Sequence, residues 1–214
     1  MSRTSSRGGT RVLVFAKAPR PGVAKTRLVP LLGGEGAAAL HARLVKHALE
    51  TARRAALGAI ELHGAPADDD FLRCCAERYG AALIDQTEGD LGARMRAALE
   101  AALAACGRVV LIGADCPALT PRHLRGAARA LDEGHDAVFA PAEDGGYALI
   151  GLTRCAPGLL EGISWSTAAV MDETRERLRA LGWRWLELDT LWDVDRPEDY
   201  QRLLASGLLE REAR

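Results

Sequence analysis

No stretch of the chain holds the roughly 18 consecutive apolar residues that a bilayer crossing needs, and the polar start MSRTSSRGGTR lacks the apolar core of a secretory signal. The five cysteines, Cys74, Cys75, Cys106, Cys116 and Cys155, include no CxxC pair, and their odd number offers no disulfide framework. Neither sign of charge prevails. With 28 basic and 29 acidic side chains the net charge is −1 at pH 7, so nothing pulls the whole protein toward nucleic acid or an anionic membrane, and any attraction for phosphate is local. These absences predict a soluble, cytoplasmic protein with no membrane span and no nucleic-acid partner.

Several catalytic signatures are missing as well. The chain has no GxxxxGK[ST] phosphate loop, no GxGxxG, no HExxH and no GxSxG elbow. His41, His47, His63, His123 and His135 fall at no metal-ligand spacing, and no zinc-type cysteine cluster occurs.

What is present is a regular alternation of apolar runs and helical patterns. At 214 residues the chain suits one sizeable α/β domain. Met1–Thr10, rich in Ser, Gly and Arg, reads as a disordered lead-in, and a single domain is expected over residues 11–214. Strands are predicted at Val12–Ala16, Ala59–Leu62, Ala82–Ile84, Val109–Ile112 and Ala137–Ala140. Between them lie helices from about Glu35 to Ala56, near Asp69–Tyr79, over Leu91–Ala105 and over Pro121–Leu131. Such βαβα order argues for a three-layer α/β/α sandwich with a mostly parallel, Rossmann-like sheet. Past Pro141 the rhythm changes. Strands at Ala148–Leu152 and Trp183–Leu188 and helices at Ser166–Leu181 and Pro197–Leu204 predict that antiparallel pairing enters there.

Ligands of parallel sheets bind beyond the carboxyl ends of the strands, so the segments after each apolar run carry the functional signal. Asp115 follows the Val-Val-Leu-Ile run at Val109–Ile112; it either holds a metal ion or ligand hydroxyl, or caps the helix beginning near Pro121. The first strand runs into Lys17–Arg27, KAPRPGVAKTR, where Lys17, Lys25 and Arg27 can meet a diphosphate. The third runs into QTEGDLGARM, with Gln86, Gly92 and Arg94 as candidates for the nucleotide and Asp90 as a candidate helix cap.

Glu143 and Asp144 precede Gly145, Gly146 and Tyr147 in a segment that suits either sugar binding and proton transfer or a plain hairpin turn. Near the C-terminus, Asp193 and Asp195 alternate on an extended stretch and point the same way. Either one, with Asp115, would complete an oxygen-rich site for Mg²⁺ or Mn²⁺. Trp165 either stacks on an acceptor sugar or packs in the core.

Taken in order, FAKAPRPGVAKTRL, QTEGDLGARM, VVLIGADCP, PAEDGGYALIGL, WST and DVDRPEDY resemble a bacterial family of small glycosyltransferase-A-like proteins, once grouped as an uncharacterised domain. That family is known as the radical-SAM/selenodomain-associated transferase 1 or arsenosugar-biosynthesis-type group, and it belongs to the nucleotide-diphospho-sugar transferase superfamily. The resemblance spans about Arg11 to Leu204. It implies a metal-dependent glycosyltransferase moving a sugar from a nucleotide-diphospho-sugar donor to a small-molecule acceptor. On this reading Asp115 is the metal-binding acid after the central strand, and Asp195, with Asp193 in reserve, supplies the second carboxylate. Many glycosyltransferases have Asp-x-Asp here, whereas this chain reads Ala114-Asp115-Cys116-Pro117. Asp144, then Glu143, is the candidate general base, and Gly145, Gly146, Tyr147 and Trp165 are candidates for the acceptor. The alternative activity is nucleotidyl transfer, guanylyltransferase-like, joining a nucleoside triphosphate to a phosphorylated small molecule. A non-enzymatic sugar-nucleotide-binding subunit is a third reading, disfavoured by charges retained at three separate strand ends.

Overall fold

The computed structural model describes residues 9–209. β1 (Arg11–Lys17), β2 (Ile60–Ala65), β3 (Ala82–Asp85) and β4 (Val109–Gly113) alternate with α1 (Val29–Ala55), α2 (Asp70–Tyr79) and α3 (Leu91–Ala105). After them come α4 (Pro121–Asp132), β5 (Ala137–Pro141), β6 (Tyr147–Leu152), α5 (Val170–Ala180), β7 (Trp185–Glu187) and α6 (Pro197–Ser206). Seven strands form one sheet in the order β3-β2-β1-β4-β6-β5-β7. Only β6 runs against its neighbours, β4 and β5. The architecture is the mostly parallel α/β sandwich of the nucleotide-diphospho-sugar transferases, with the antiparallel strand in the half of the chain where the rhythm breaks.

Two apolar layers explain why the inner strands read as continuous runs. One face of the sheet, with Val14, Leu62, Ile112 and Val138, packs under Leu49 of α1, Leu72 of α2 and Leu124 of α4. The opposite face, with Leu13, Leu111, Phe139 and Ile150, packs under Leu99 of α3 and Leu178 of α5. Strands buried on both sides have no polar face to alternate with. α6 lies apart from both layers, its Leu203 joining Leu40 and Leu44 of α1 and Val194 in a third cluster.

Two expectations need correction. Most of the expected lead-in, residues 1–8, lies outside the described residues, but Thr10 already belongs to the fold. It is 3 % exposed, its N–H donates to the Leu57 carbonyl, and its hydroxyl accepts from Arg108 Nε. The long helix expected from about Glu35 does start there: a short helical turn from Val29, with Pro30 in its first turn, precedes it and is separated from it at Gly33, whose φ of 70° and ψ of 167° are not helical. The fifth helix begins at Val170 rather than Ser166. Ser166 takes a left-handed φ of 65°, and the Thr167 hydroxyl donates to the Ser164 carbonyl, closing a turn ahead of the helix.

β1 and β4 are neighbours, and the strand order reverses between them: β2 and β3 lie to one side, the later strands to the other. That switch point opens a crevice beyond the carboxyl ends of the two strands. The loop after β1 and Asp115 after β4 therefore face each other across it.

Candidate functional site

Asp115 does not cap α4; Thr120 takes that position. Its Oδ1 is buried, with Lys25 Nζ at 2.7 Å and His41 Nδ1 at 3.6 Å. The side chain as a whole is half exposed, at 50 %, so the remainder of the carboxylate opens toward the crevice. Burial pushes this carboxyl upward, but Lys25 and His41 outweigh it and hold the group well below the usual carboxylate range. Asp115 is therefore an anion at any ordinary pH.

Lys25 reaches this position because of its backbone. It sits in the left-handed region at φ 53°, just before the single turn Thr26–Leu28 that leads into α1, and its side chain is 4 % exposed. A β-carbon-bearing residue keeps that conformation only when its surroundings over-determine it. His41 is buried on α1 and donates from Nε2 to the Lys17 carbonyl at 3.0 Å, which ties the loop after β1 to the helix behind it.

The C-terminal acids arrive by backbone docking. The Val194 N–H donates to the Asp115 carbonyl at 2.9 Å, and Val194 is fully buried, so Asp193 and Asp195 flank an anchored residue. Asp195 pairs with Arg27. The cap of α6 falls to Asp199, whose Oδ2 accepts from the N–H groups of Asp195 and Arg196; this leaves the Asp195 carboxylate for Arg27. Asp193 sits among charges. Burial pushes its carboxyl up to about 6, the Asp144 and Asp115 carboxylates add to the rise, and Lys25 works against it. Asp193 feels the Asp115 carboxylate, and Asp195 is paired with Arg27.

Leu191 joins the same segment to the β5–β6 hairpin through its bonds with Pro141 and Glu143. At the hairpin tip Asp144 is exposed, and its Oδ1 accepts from the Gly146 N–H at 2.9 Å. Glu143 is engaged elsewhere, bound by Arg202 through two nitrogens at 2.7 and 3.1 Å. Gly145, at φ 89°, is needed for packing, since a β-carbon there would stand 2.3 Å from the Ala168 carbonyl oxygen. Tyr147 packs edge-on between Phe139 and Trp165. Its hydroxyl and the Trp165 indole nitrogen are buried and have no hydrogen-bond partner among the described residues.

The segment after β3 is held by hydrogen bonds of its own side chains. Gln86 Nε2 donates to the His63 carbonyl at 2.8 Å, while its Oε1 accepts from Arg94. Asp90 caps α3, accepting from the Ala93 N–H at 2.8 Å. Gly92 is buried where a β-carbon would meet the Leu160 carbonyl oxygen at 2.3 Å and Trp165 Nε1 at 2.7 Å. Gln86 and Arg94 also border a cavity of about 180 Å³ between α3 and the β2–β3 edge, floored by Glu61 and His63.

Of the remaining loop cations, Arg20 is tied to Asp69 at the start of α2, whereas Lys17 is exposed at the mouth of the crevice. Cys116, beside Asp115, is a buried thiol pushed up to about 12, chiefly by that burial, and so remains unreactive.

Sequence reasoning missed His41 and Arg202. His41 carries no spacing signal, and the only clue is a histidine on the apolar face of the helix that follows the cationic loop. Arg202 meets Glu143 only through the fold.

These residues fit a hard divalent cation in a limited way. Asp115, Asp193 and Asp144 offer carboxylate oxygens, the donors Mg²⁺ and Mn²⁺ prefer. Among the described residues, however, no three such side chains form a ready-made cage. The arrangement suits an ion that takes one or two carboxylates and completes its shell with water and phosphate.

Comparison with known proteins agrees with the fold. A protein from Desulfovibrio desulfuricans G20, provisionally named a nucleotide-diphospho-sugar transferase, superposes with a TM-score of 0.81 at 29% identity, covering 95% of this chain and 98% of that one. The structure of 4-diphosphocytidyl-2C-methyl-D-erythritol synthase from Anaerococcus prevotii DSM 20548 matches at TM-score 0.64 and 12% identity, over 96% and 99% of the two chains. Rv0371c from Mycobacterium tuberculosis H37Rv, in complex with manganese, matches at TM-score 0.54 and 23% identity, over 92% and 99%. The latter two likenesses are of fold alone. No curated protein matches the sequence, and among the described residues no helix is long and apolar enough to cross a membrane. Residues 48–167 match the model of a family described as an uncharacterized protein conserved in bacteria, DUF2064, and the chain belongs to that family.

Proposed function

We propose that this protein is a transferase acting on a nucleotide-linked substrate, and specifically a divalent-metal-dependent glycosyltransferase with a nucleotide-diphospho-sugar donor and a small-molecule acceptor. One observation carries the reading: Asp115 stands at the switch point of the sheet, half open to the crevice, with Lys25 and Arg27 on one side and Asp193 and Asp144 on the other. The order of the sequence motifs and the Desulfovibrio protein support the glycosyl form, and the manganese in the mycobacterial structure supports the metal.

The chemical problem is the negative charge that develops on the departing nucleoside diphosphate. Asp115 and Asp193 would hold the cation, which when bound supplies electrostatic stabilisation of that leaving group. Lys17 and Arg27 are placed to meet the phosphates, with Asp195 holding Arg27 in position beforehand. Asp144, exposed at the hairpin tip, would take the proton of the acceptor hydroxyl. Glu143 is engaged by Arg202 of α6 in an exposed ion pair, which leaves Asp144 as the acid for this role. Gly145 and Gly146 let the chain turn at the acceptor side, above Tyr147 and Trp165. Gln86, Gly92 and Arg94 act indirectly, by holding the segment that borders the nucleotide.

Nucleotidyl transfer is the second reading, favoured by the likeness of fold to the Anaerococcus synthase. It needs no general base, because the attacking phosphate is already ionised. Calorimetric titration of nucleoside-diphosphate sugars and the matching triphosphates with Mn²⁺ separates the two. Tight binding of one sugar nucleotide over its triphosphate supports glycosyl transfer, and the opposite order supports nucleotidyl transfer. Full turnover by Asp144→Asn with an authentic acceptor would remove the base from the account.

A further inference from the structure

Two cations of the loop after β1 are paired with acids beyond the end of β4. Lys25 Nζ lies 2.7 Å from Asp115 Oδ1, and Arg27 holds Asp195. The two pairs differ in depth. Lys25 is 4 % exposed at its side chain, while Arg27 is 60 % exposed, so water screens the second pair and hardly reaches the first. Both cations come from the loop after β1, and both acids come from segments docked at the end of β4.

We propose that the buried Lys25–Asp115 pair forms a latch that a divalent cation and a diphosphate open together. The inference rests on the metal and diphosphate reading above and adds a mechanism of coupling to it. A metal–diphosphate complex carries the same charges in exchanged order, a cation for the acids and an anion for the loop. Metal alone at Asp115 would crowd a second cation beside Lys25. Diphosphate alone would draw Lys25 away and leave the buried Oδ1 of Asp115 with no counter-charge, the costly state of a broken buried pair. Only when both arrive does every charge keep a partner. His41, fixed on the Lys17 carbonyl, keeps the loop and the acid in register while the partners exchange.

The test uses Mn²⁺ alone and inorganic pyrophosphate alone as probes on the full chain. Mn²⁺ affinity, read by electron paramagnetic resonance in the absence of any phosphate, is expected to rise about tenfold in Lys25→Met, the effect of removing one like charge at close range. Equal or weaker binding by Lys25→Met overturns the latch. Pyrophosphate affinity in EDTA is read by calorimetry on two variants that keep Lys25 in place and so do not depend on whether Lys25→Met folds. Asp115→Asn frees Lys25 and is expected to bind pyrophosphate about tenfold more tightly than wild type. Asp193→Asn removes a charge from the same site without freeing Lys25 and is expected to gain clearly less. Equal gains in the two variants overturn the latch. Failure of both wild type and Lys25→Met to bind Mn²⁺ at any concentration overturns the metal reading itself, an outcome distinct from equal, measurable binding.

Discussion

The loop after β1 and the segment after β3 look alike in sequence: each follows a parallel strand, each carries arginine and glycine, and each leads into a helix. In the folded chain they do different work. Lys25 and Arg27 extend from the first to acids on other elements. Gln86, Asp90 and Arg94 of the second bond to strand carbonyls, to a helix end and to each other. Position in the sheet accounts for the contrast. β1 and β4 flank the point where strand order reverses, so the loop after β1 borders an open crevice, whereas β3 is an edge strand whose following segment must close the sheet and cap a helix. The same kind of polar, glycine-bearing loop thus makes different contacts according to where its strand lies in the sheet.

Substitutions can break this contrast or sharpen it. The largest effect on stability is expected from Gly92→Ala, because its β-carbon would need the Leu160 backbone to shift. A loss of about 1–3 kcal/mol in chemical denaturation is expected, and a variant as stable as wild type would mean that Gly92 is not a packing glycine. Arg27→Ala and Gln86→Ala should separate binding from stability. Arg27→Ala is expected to weaken nucleotide binding about tenfold with little change in Tm. Gln86→Ala is expected to cost roughly 1 kcal/mol of stability while nucleotide affinity falls less than about threefold. Reversed outcomes would exchange the roles of the two segments.

A smaller effect concerns pH. Burial holds His63 below the ordinary histidine range, against the pull of Glu61. A group with a lowered folded-state pKa contributes stability above its unfolded value of about 6.5, and that contribution disappears as pH falls through the folded value. Tm should therefore decline below about pH 6.5, and His63→Gln should flatten the decline; an unchanged slope would assign it to other groups. Least of all is expected from Glu143→Gln. Its pair with Arg202 is exposed, and exposed pairs contribute little, so Tm should stay at the wild-type value. A clear drop in Tm would show that the hairpin depends on this contact.

Much of the fold was legible because buried parallel strands write themselves as unbroken apolar runs, as in Val109–Ile112. Helix starts were less so. Ser166-Thr167 reads as a cap, although its hydroxyl chemistry closes a turn ahead of the helix. At the site, Asp115 and the cations after β1 stood out because strand ends are where such sheets bind ligands. The pairing among them was not legible, since Lys25 meets Asp115 only across the β1–β4 neighbourhood. Nor does spacing tell the surroundings of Asp193 from those of Asp195: two residues alternating on an extended segment look equivalent until Val194 docks on the Asp115 carbonyl and gives each a different neighbour. Gly92 and Gly145 were legible as glycines with a purpose, but close packing and ligand approach make the same demand on a backbone.

The central claim is that Asp115 anchors a metal on which nucleotide binding depends. The most direct test is calorimetric titration of wild type and Asp115→Ala with the best-bound nucleoside-diphosphate sugar, in Mn²⁺ and in EDTA. The account predicts binding in Mn²⁺ that weakens about a hundredfold or more, roughly 2.7 kcal/mol, when either the metal or the carboxylate is removed, with no further loss when both are. Equal affinity of wild type and Asp115→Ala in Mn²⁺ would contradict it.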